Sequence, residues 1–154
     1  VLMHKRELIP DSGGPGRFRG GLGQEMLLEV TTGLPATHSC MYDRTRFPAQ
    51  GFLGGEPGQP GEVVLSDGAH PHPKSKYTLK PGQVVTLRLP GGGGFYSPLE
   101  REPVLVLRDV RQGLISPEAA KNSYGVVIDS EHWMIDERAT AEQRAYLKQN
   151  GAQI

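Results

Sequence analysis

Twenty-one glycines in a 154-residue chain decide what this sequence can fold into, because they are not scattered. Most of them gather in three places: Asp11–Gly23, Gly51–Gly61 and the unbroken run Gly91–Gly94. Thirteen prolines accompany them. An unstructured low-complexity chain would spread such residues evenly. Here they alternate with short apolar runs rich in Val and Leu. The pattern is that of a folded, loop-rich domain whose loops need positive φ or very close backbone approach.

Between the loops, the chain reads as short strands and then helices. Leu2 to Pro10 is extended. Glu25–Thr31, Ala36–Tyr42, Glu62–Leu65 and Val84–Leu89 are strands, with turn signals at Ser66-Asp67-Gly68 and Lys80-Pro81-Gly82-Gln83. After Pro98 the character changes. Pro103 suits a helix N1 position and Gly113 its C′ position, with Val104, Leu107 and Val110 at helical spacing, although Val104–Leu107 alone also suits a strand. Ser116-Pro117-Glu118 starts a second helix that stops by Gly125. Val126–Ile128 reads as a strand. Thr140-Ala141-Glu142-Gln143 has the form of a capping box opening a helix to about Asn150, with Gly151 as its stop. The expectation is an α+β chain: a β-rich body over 1–98, barrel- or sandwich-like, then a helical C-terminal third over 99–154 with two or three helices, the two integrated into one domain.

Charge excludes several functions. Lys plus Arg and Asp plus Glu both number 17, so no broad positive field exists for nucleic acid or an anionic membrane surface. No apolar run approaches the roughly 18 residues of a membrane span. The N-terminus, Val1 to Arg6, has the wrong charge order for a secretory signal, and one cysteine, Cys40, fits a reducing compartment. A cytoplasmic protein is expected.

Candidate chemistry is sparse. Arg17 and Arg19 share one side of an extended segment and Phe18 the other. Beside exposed loop amides, two guanidiniums suit a carboxylate or phosphate; spacing alone favours the simpler reading, local ion pairs with the glycines making tight turns, because structural ion pairs are common. Gly91–Gly94 and Gly20-Gly21-Leu22-Gly23 lack the Lys-Ser or Lys-Thr ending of a nucleotide-binding loop. His38, Cys40, His70 and His72 have no zinc-type spacing, and the prolines of His70-Pro71-His72-Pro73 mark a solvated loop. Cys40 lacks a suitably placed base and reads as a small buried residue. Glu118, Asp136 and Glu142 read as helix-start and solvated residues, and Phe52, Tyr124 and Trp133 as packing residues. No catalytic residue and no metal site is assigned.

The ordered set of motifs is more specific than any one of them. Pro10-Asp11-Ser12-Gly13-Gly14-Pro15-Gly16-Arg17-Phe18-Arg19-Gly20-Gly21-Leu22-Gly23 resembles the hallmark of the hydantoinase B/5-oxoprolinase family, which includes carboxylase relatives. The resemblance continues through Asp43-Arg44, Gly51 to Gly58, Leu79 to Gly82, Pro90 to Gly94, Pro98 to Arg101, Asp109-Val110, Gly113 to Ser116, Ala119-Ala120 and Tyr124 to Val127. One departure stands out. The family usually continues its glycine run with a Gly-Tyr-Gly-Asp-like stretch, and here the chain reads Phe95-Tyr96-Ser97-Pro98.

The resemblance implies the C-terminal component of an ATP-dependent cyclic-amide hydrolase of hydantoin or 5-oxoproline type, or of a related ATP-dependent carboxylase. Family subunits are several times longer, so the isolated chain is expected to be inactive. It implies two partners, a hydantoinase A-type ATPase subunit and the remainder of the hydantoinase B-type subunit. ATP and a divalent cation are expected there, and no cofactor on this chain alone. The alternative is a non-catalytic structural or assembly module within such a complex. In either case Asp11, Gly13, Gly14, Gly16, Arg17, Arg19, Gly20, Gly21, Asp43, Arg44, Gly54, Gly55 and Gly91, Gly92, Gly93 and Gly94 are the expected substrate- or interface-binding positions. The three glycine loops are expected to converge on one face, bringing Arg17, Arg19 and Arg44 together.

Overall fold

The computed structural model describes residues 1–129 and 131–150. Its first layer is a four-stranded antiparallel sheet of β1 (Leu2–Leu8), β2 (Gln24–Glu29), β4 (Glu62–Leu65) and β6 (Val84–Arg88), in the order β1-β2-β6-β4. Period-2 alternation divides its faces. On one face an ionic ladder crosses all four strands: Lys5 to Glu25 at 2.8 Å, Arg88 to Glu25 at 2.7 Å, and Arg88 to Glu62 at 2.8 Å. The opposite face buries Val63, Val85 and Leu87, with Met26 and Leu28 partly covered.

That apolar face is closed by the smaller antiparallel sheet of β3 (Ala36–Ser39) and β5 (Lys76–Leu79), which contributes Leu79, Ala36 and Tyr77. The β-rich body is therefore sheet on sheet, and among the described residues no sheet closes into a barrel. Turn chemistry fixes the connections. Gln83 N–H donates to the Lys80 carbonyl at 3.0 Å, and Gly82 takes the φ of +75° that the third position of a type II turn demands.

The C-terminal third carries α1 (Pro103–Arg111), α2 (Pro117–Asn122) and α3 (Glu137–Asn150), with the hairpin β7 (Ile128–Asp129) and β8 (Met134–Ile135). Its core is Val106, Val110, Ile115, Ala120, Tyr124 and Val126. α1 ends as expected: Gly113 N–H donates to Val110 O and Leu114 N–H to Asp109 O, both at 2.9 Å, a Schellman closure around the positive φ of Gly113. Ser116 caps α2 by accepting from Ala119 N at 3.0 Å.

Two local expectations are corrected. Thr140 does not open a helix, because Asp136 does: its Oδ1 accepts from Ala139 N at 2.9 Å, and its carbonyl from Thr140 N at 2.9 Å. Thr140 lies one turn inside, buried, and its Oγ1 accepts the Val127 amide at 3.0 Å. Gln143 donates instead to the Lys121 carbonyl at 3.4 Å. The strand expected over Val126–Ile128 forms only at Ile128–Asp129, since Val126 N–H is already committed to Ala120 O. Gly151 lies outside the described residues.

Candidate functional site

The three glycine loops meet, and what their backbones approach is one another. Gly14 N–H donates to Gly92 O at 2.8 Å, and Gly92 N–H to Gly21 O at 2.9 Å. Gly94 N–H donates to Glu56 O, and Glu56 N–H to Pro15 O. Gln59 N–H reaches Ser12 O and Gly91 N–H reaches Gln59 O. The loops thus satisfy much of their backbone polarity internally, as buried peptide groups require. Side chains are excluded: a Cβ on Gly91, Gly93 or Gly94 would run into the carbonyls of Ser12, Gln50 and Pro15 respectively. Gly13, Gly14, Gly16, Gly20 and Gly55 belong to the same bundle, each with backbone where a Cβ would stand, whereas Gly21 and Gly54 have room.

This bundle is bolted to the helical third by charge. Asp109 of α1, 2% exposed, accepts from Arg101 Nη2 at 2.8 Å and from Arg19 Nε at 3.2 Å, both through Oδ2. Arg101 Nη1 also donates to Arg17 O, and Arg144 Nη2 to Arg101 O. Asp11, held at a φ of 60°, adds a second bolt: its N–H donates to Leu114 O and its Oδ1 accepts Ser116 N at 2.8 Å.

Arg17 and Arg19, expected side by side, have different surroundings. Arg19 is drawn into the buried pair with Asp109, whereas Arg17 is exposed, over the Phe18 ring at 5.7 Å and 3.9 Å from Glu100. Asp43 and Arg44 lie apart from that pair. Together with His72 and Lys74 they line a separate cavity of about 270 Å³. Asp43 bonds Lys74, whose ammonium lowers its pKa. Cys40 is buried, and His38, its pKa lowered by burial, meets Tyr42 OH at 3.1 Å and stacks on Tyr77.

Other residues stand out in space that the sequence did not single out. Glu56 lines two neighbouring cavities, of about 330 and 410 Å³, together with Ser123. It makes no ion pair among the described residues, and partial burial raises its pKa. Tyr124 lines the first cavity, but its hydroxyl is itself buried with no partner among the described residues, and burial pushes its pKa to about 12. Glu56 supplies a carboxyl that releases its proton less readily than an exposed one. Its signal was available in part, because Glu56 is the sole acidic residue within Gly51–Gly61. Phe52, read from sequence as a packing residue, is 65% exposed.

The chain as a whole is similar to known proteins. Residues 1–98 match the family model described as Hydantoinase B/oxoprolinase. The chain is 38% identical to the beta subunit of the caprolactamase of Pseudomonas jessenii, over 94% of this chain and 26% of that one. It is 34% identical to the B component assigned to a D-/L-hydantoinase in a Pseudomonas species, over 94% and 25%. The crystal structure of the ATP-dependent caprolactamase from Pseudomonas jessenii superposes with a TM-score of 0.76 at 35% identity, covering 94% of this chain and 26% of that one. The chain belongs to the hydantoinase B/oxoprolinase family, and it spans about a quarter of the length of these relatives.

Proposed function

We propose that the chain is the C-terminal component of an ATP-dependent cyclic-amide hydrolase of hydantoin or 5-oxoproline type, or of a related ATP-dependent carboxylase. One observation carries this reading: nearly the whole chain aligns with a mere quarter of the caprolactamase polypeptide, in sequence and in fold. That share supports a reading in which the chemistry is completed by the rest of such an enzyme. A hydantoinase A-type ATPase and the remainder of a hydantoinase B-type polypeptide are the proposed partners, and ATP and a divalent cation the proposed cofactors, held on those partners. The cytoplasm is the proposed location, in keeping with a single unpaired cysteine. Residues 1–98 and 99–154 are proposed as its two regions, and the glycine bundle with Arg17, Asp43 and Arg44 as its contact positions.

A second reading, a non-catalytic assembly module, is favoured by the glycine bundle, whose backbone groups bond one another rather than standing free for a ligand. Arg17→Ala separates the two. Loss of turnover with normal complex formation supports a substrate-facing role, and turnover that falls only in proportion to assembly supports the module. The parent proposal is tested by assaying the purified chain on hydantoins and 5-oxoproline. Negligible turnover is expected, and robust ATP-independent hydrolysis overturns it.

A further inference from the structure

Each of the three glycine loops hands over to an aromatic residue: Gly16-Arg17-Phe18, Gly51-Phe52 and Gly94-Phe95-Tyr96. The bundle therefore delivers three of the chain's four phenylalanines to one place. Phe18 N–H donates to Phe95 O at 3.0 Å and Phe95 N–H to Phe18 O at 2.9 Å. Phe52 N–H donates to Gly94 O, and Tyr96 N–H to Phe52 O, both at 3.0 Å. Above this zipped backbone the rings touch: Phe52 stacks on Phe95 at 5.9 Å and 7°, Phe18 lies 6.1 Å from Phe95, and Phe95 lies 4.2 Å from Tyr96.

The rings contact one another yet remain open to solvent. Phe18 is 56% exposed, Phe52 65%, and Leu53 beside it 54%. Leu53 and Tyr96 hold φ of 50° and 58°, a left-handed conformation that costs a bulky residue free energy. Exposed aromatic clusters on a rigid backbone mark contact surfaces, because their ordering is complete before binding. The Arg17 guanidinium lies over the Phe18 ring at 5.7 Å, with Glu100 3.9 Å from it as a counter-charge. A single balanced pair beside aromatic rings speaks against a polyanionic ligand and for a protein surface.

We propose that this platform of Phe18, Phe52, Leu53, Phe95 and Tyr96 is the docking surface for the remaining part of a hydantoinase B-type polypeptide. The relatives support this occupant: in them, roughly three quarters of the polypeptide lies outside the stretch this chain matches, the solved caprolactamase chain included. A large aromatic buries roughly 150–250 Å², so four such residues with Leu53 form the centre of an interface of ordinary size. The partner's complementary patch is aliphatic or Met-rich with little charge. This rests on the reading of the chain as part of a larger enzyme, and binding is measured without turnover so that each can fail separately.

The test co-expresses the chain with the remaining part of a hydantoinase B-type polypeptide from the same source and reads hydroxyl-radical oxidation of Phe18 and Phe52. Protection of about fivefold or more in the complex, relative to the chain alone, is expected. Phe52→Ser combined with Phe95→Ser weakens association by at least about 30-fold, while Leu34→Ser, exposed but outside the platform, leaves it unchanged. Unchanged melting temperatures establish that the variants remain folded. Failure of the wild-type chain to associate, unaltered oxidation in the complex, or self-association of the chain abolished by Phe52→Ser each overturns the proposal.

Discussion

Arg101 and Asp109 form a buried ion pair, 2.8 Å from Nη2 to Oδ2, that fastens the glycine bundle to α1. Their side chains are 9% and 2% exposed, and Arg19 shares the same oxygen. Asp109→Asn removes the one carboxylate and leaves two guanidiniums without a counter-ion in a poorly solvated place. Breaking a buried pair from one side costs about 3–5 kcal/mol. Urea unfolding is expected to show a loss of that size, and a loss below about 1 kcal/mol would mean that the pair is dispensable.

Glycine-to-alanine changes are expected to separate into two classes. Gly94→Ala places a Cβ against the Pro15 carbonyl, inside a backbone bundle that has nowhere to move. A cost of about 3 kcal/mol or more, or failure to fold, is expected. Gly21→Ala meets nothing within 4 Å and is expected to change stability by no more than about 0.5 kcal/mol. Thermal melts of the two variants check this, and similar melting temperatures would refute it.

Tyr124 gives a pH-dependent prediction. Burial raises its hydroxyl to about 12, above the ordinary value of 10.0. Between those limits the unfolded chain loses this proton while the native chain keeps it. Stability from this group is therefore complete below about pH 10 and falls as pH rises toward about 12. Tyr124→Phe removes both that slope and an unpartnered buried hydroxyl, so the variant is expected to be as stable as wild type at neutral pH or slightly more so. Parallel stability profiles for the two proteins from about pH 9 to about pH 12 would contradict the assignment.

Helix α3 distinguishes two start points. Asp136→Ala is expected to cost about 1 kcal/mol as loss of the cap. Thr140→Ala leaves the Val127 amide without its acceptor and is expected to cost about 1–2 kcal/mol. Gln143→Ala, costly if a capping box began at Thr140, is expected to be nearly silent. Chemical denaturation of the three variants gives the order.

What could be read in advance followed from local chemistry. β4 falls on Glu62–Leu65 as its β-branched residues and flanking turns imply, and α1 and α2 begin and end at their Pro, Ser and Gly signals. β5 escaped notice because Lys76–Leu79 is four residues following a Pro-rich loop, and it exists by pairing with β3, which is a long-range event. The capping motif at Thr140 misled because Asp136 starts the helix one turn earlier, which leaves Thr140 and Gln143 already inside it. Meeting of the glycine loops was foreseeable from their common need for close approach. The partner of Arg19 was not: Asp109 lies 90 positions away. The same holds for the aromatic platform, since Phe52 has the composition of a core residue and only the converged loops leave it outside.

Dependence of this chain on other polypeptides is tested most directly by reconstitution. Cyclic-amide hydrolysis and ATP consumption are measured together for the chain, the remaining part of a hydantoinase B-type polypeptide and a hydantoinase A-type ATPase, each omitted in turn. The predicted result is coupled turnover with all three present and background levels whenever one is missing. Undiminished turnover without this chain, or ATP-independent hydrolysis by this chain alone, would contradict it.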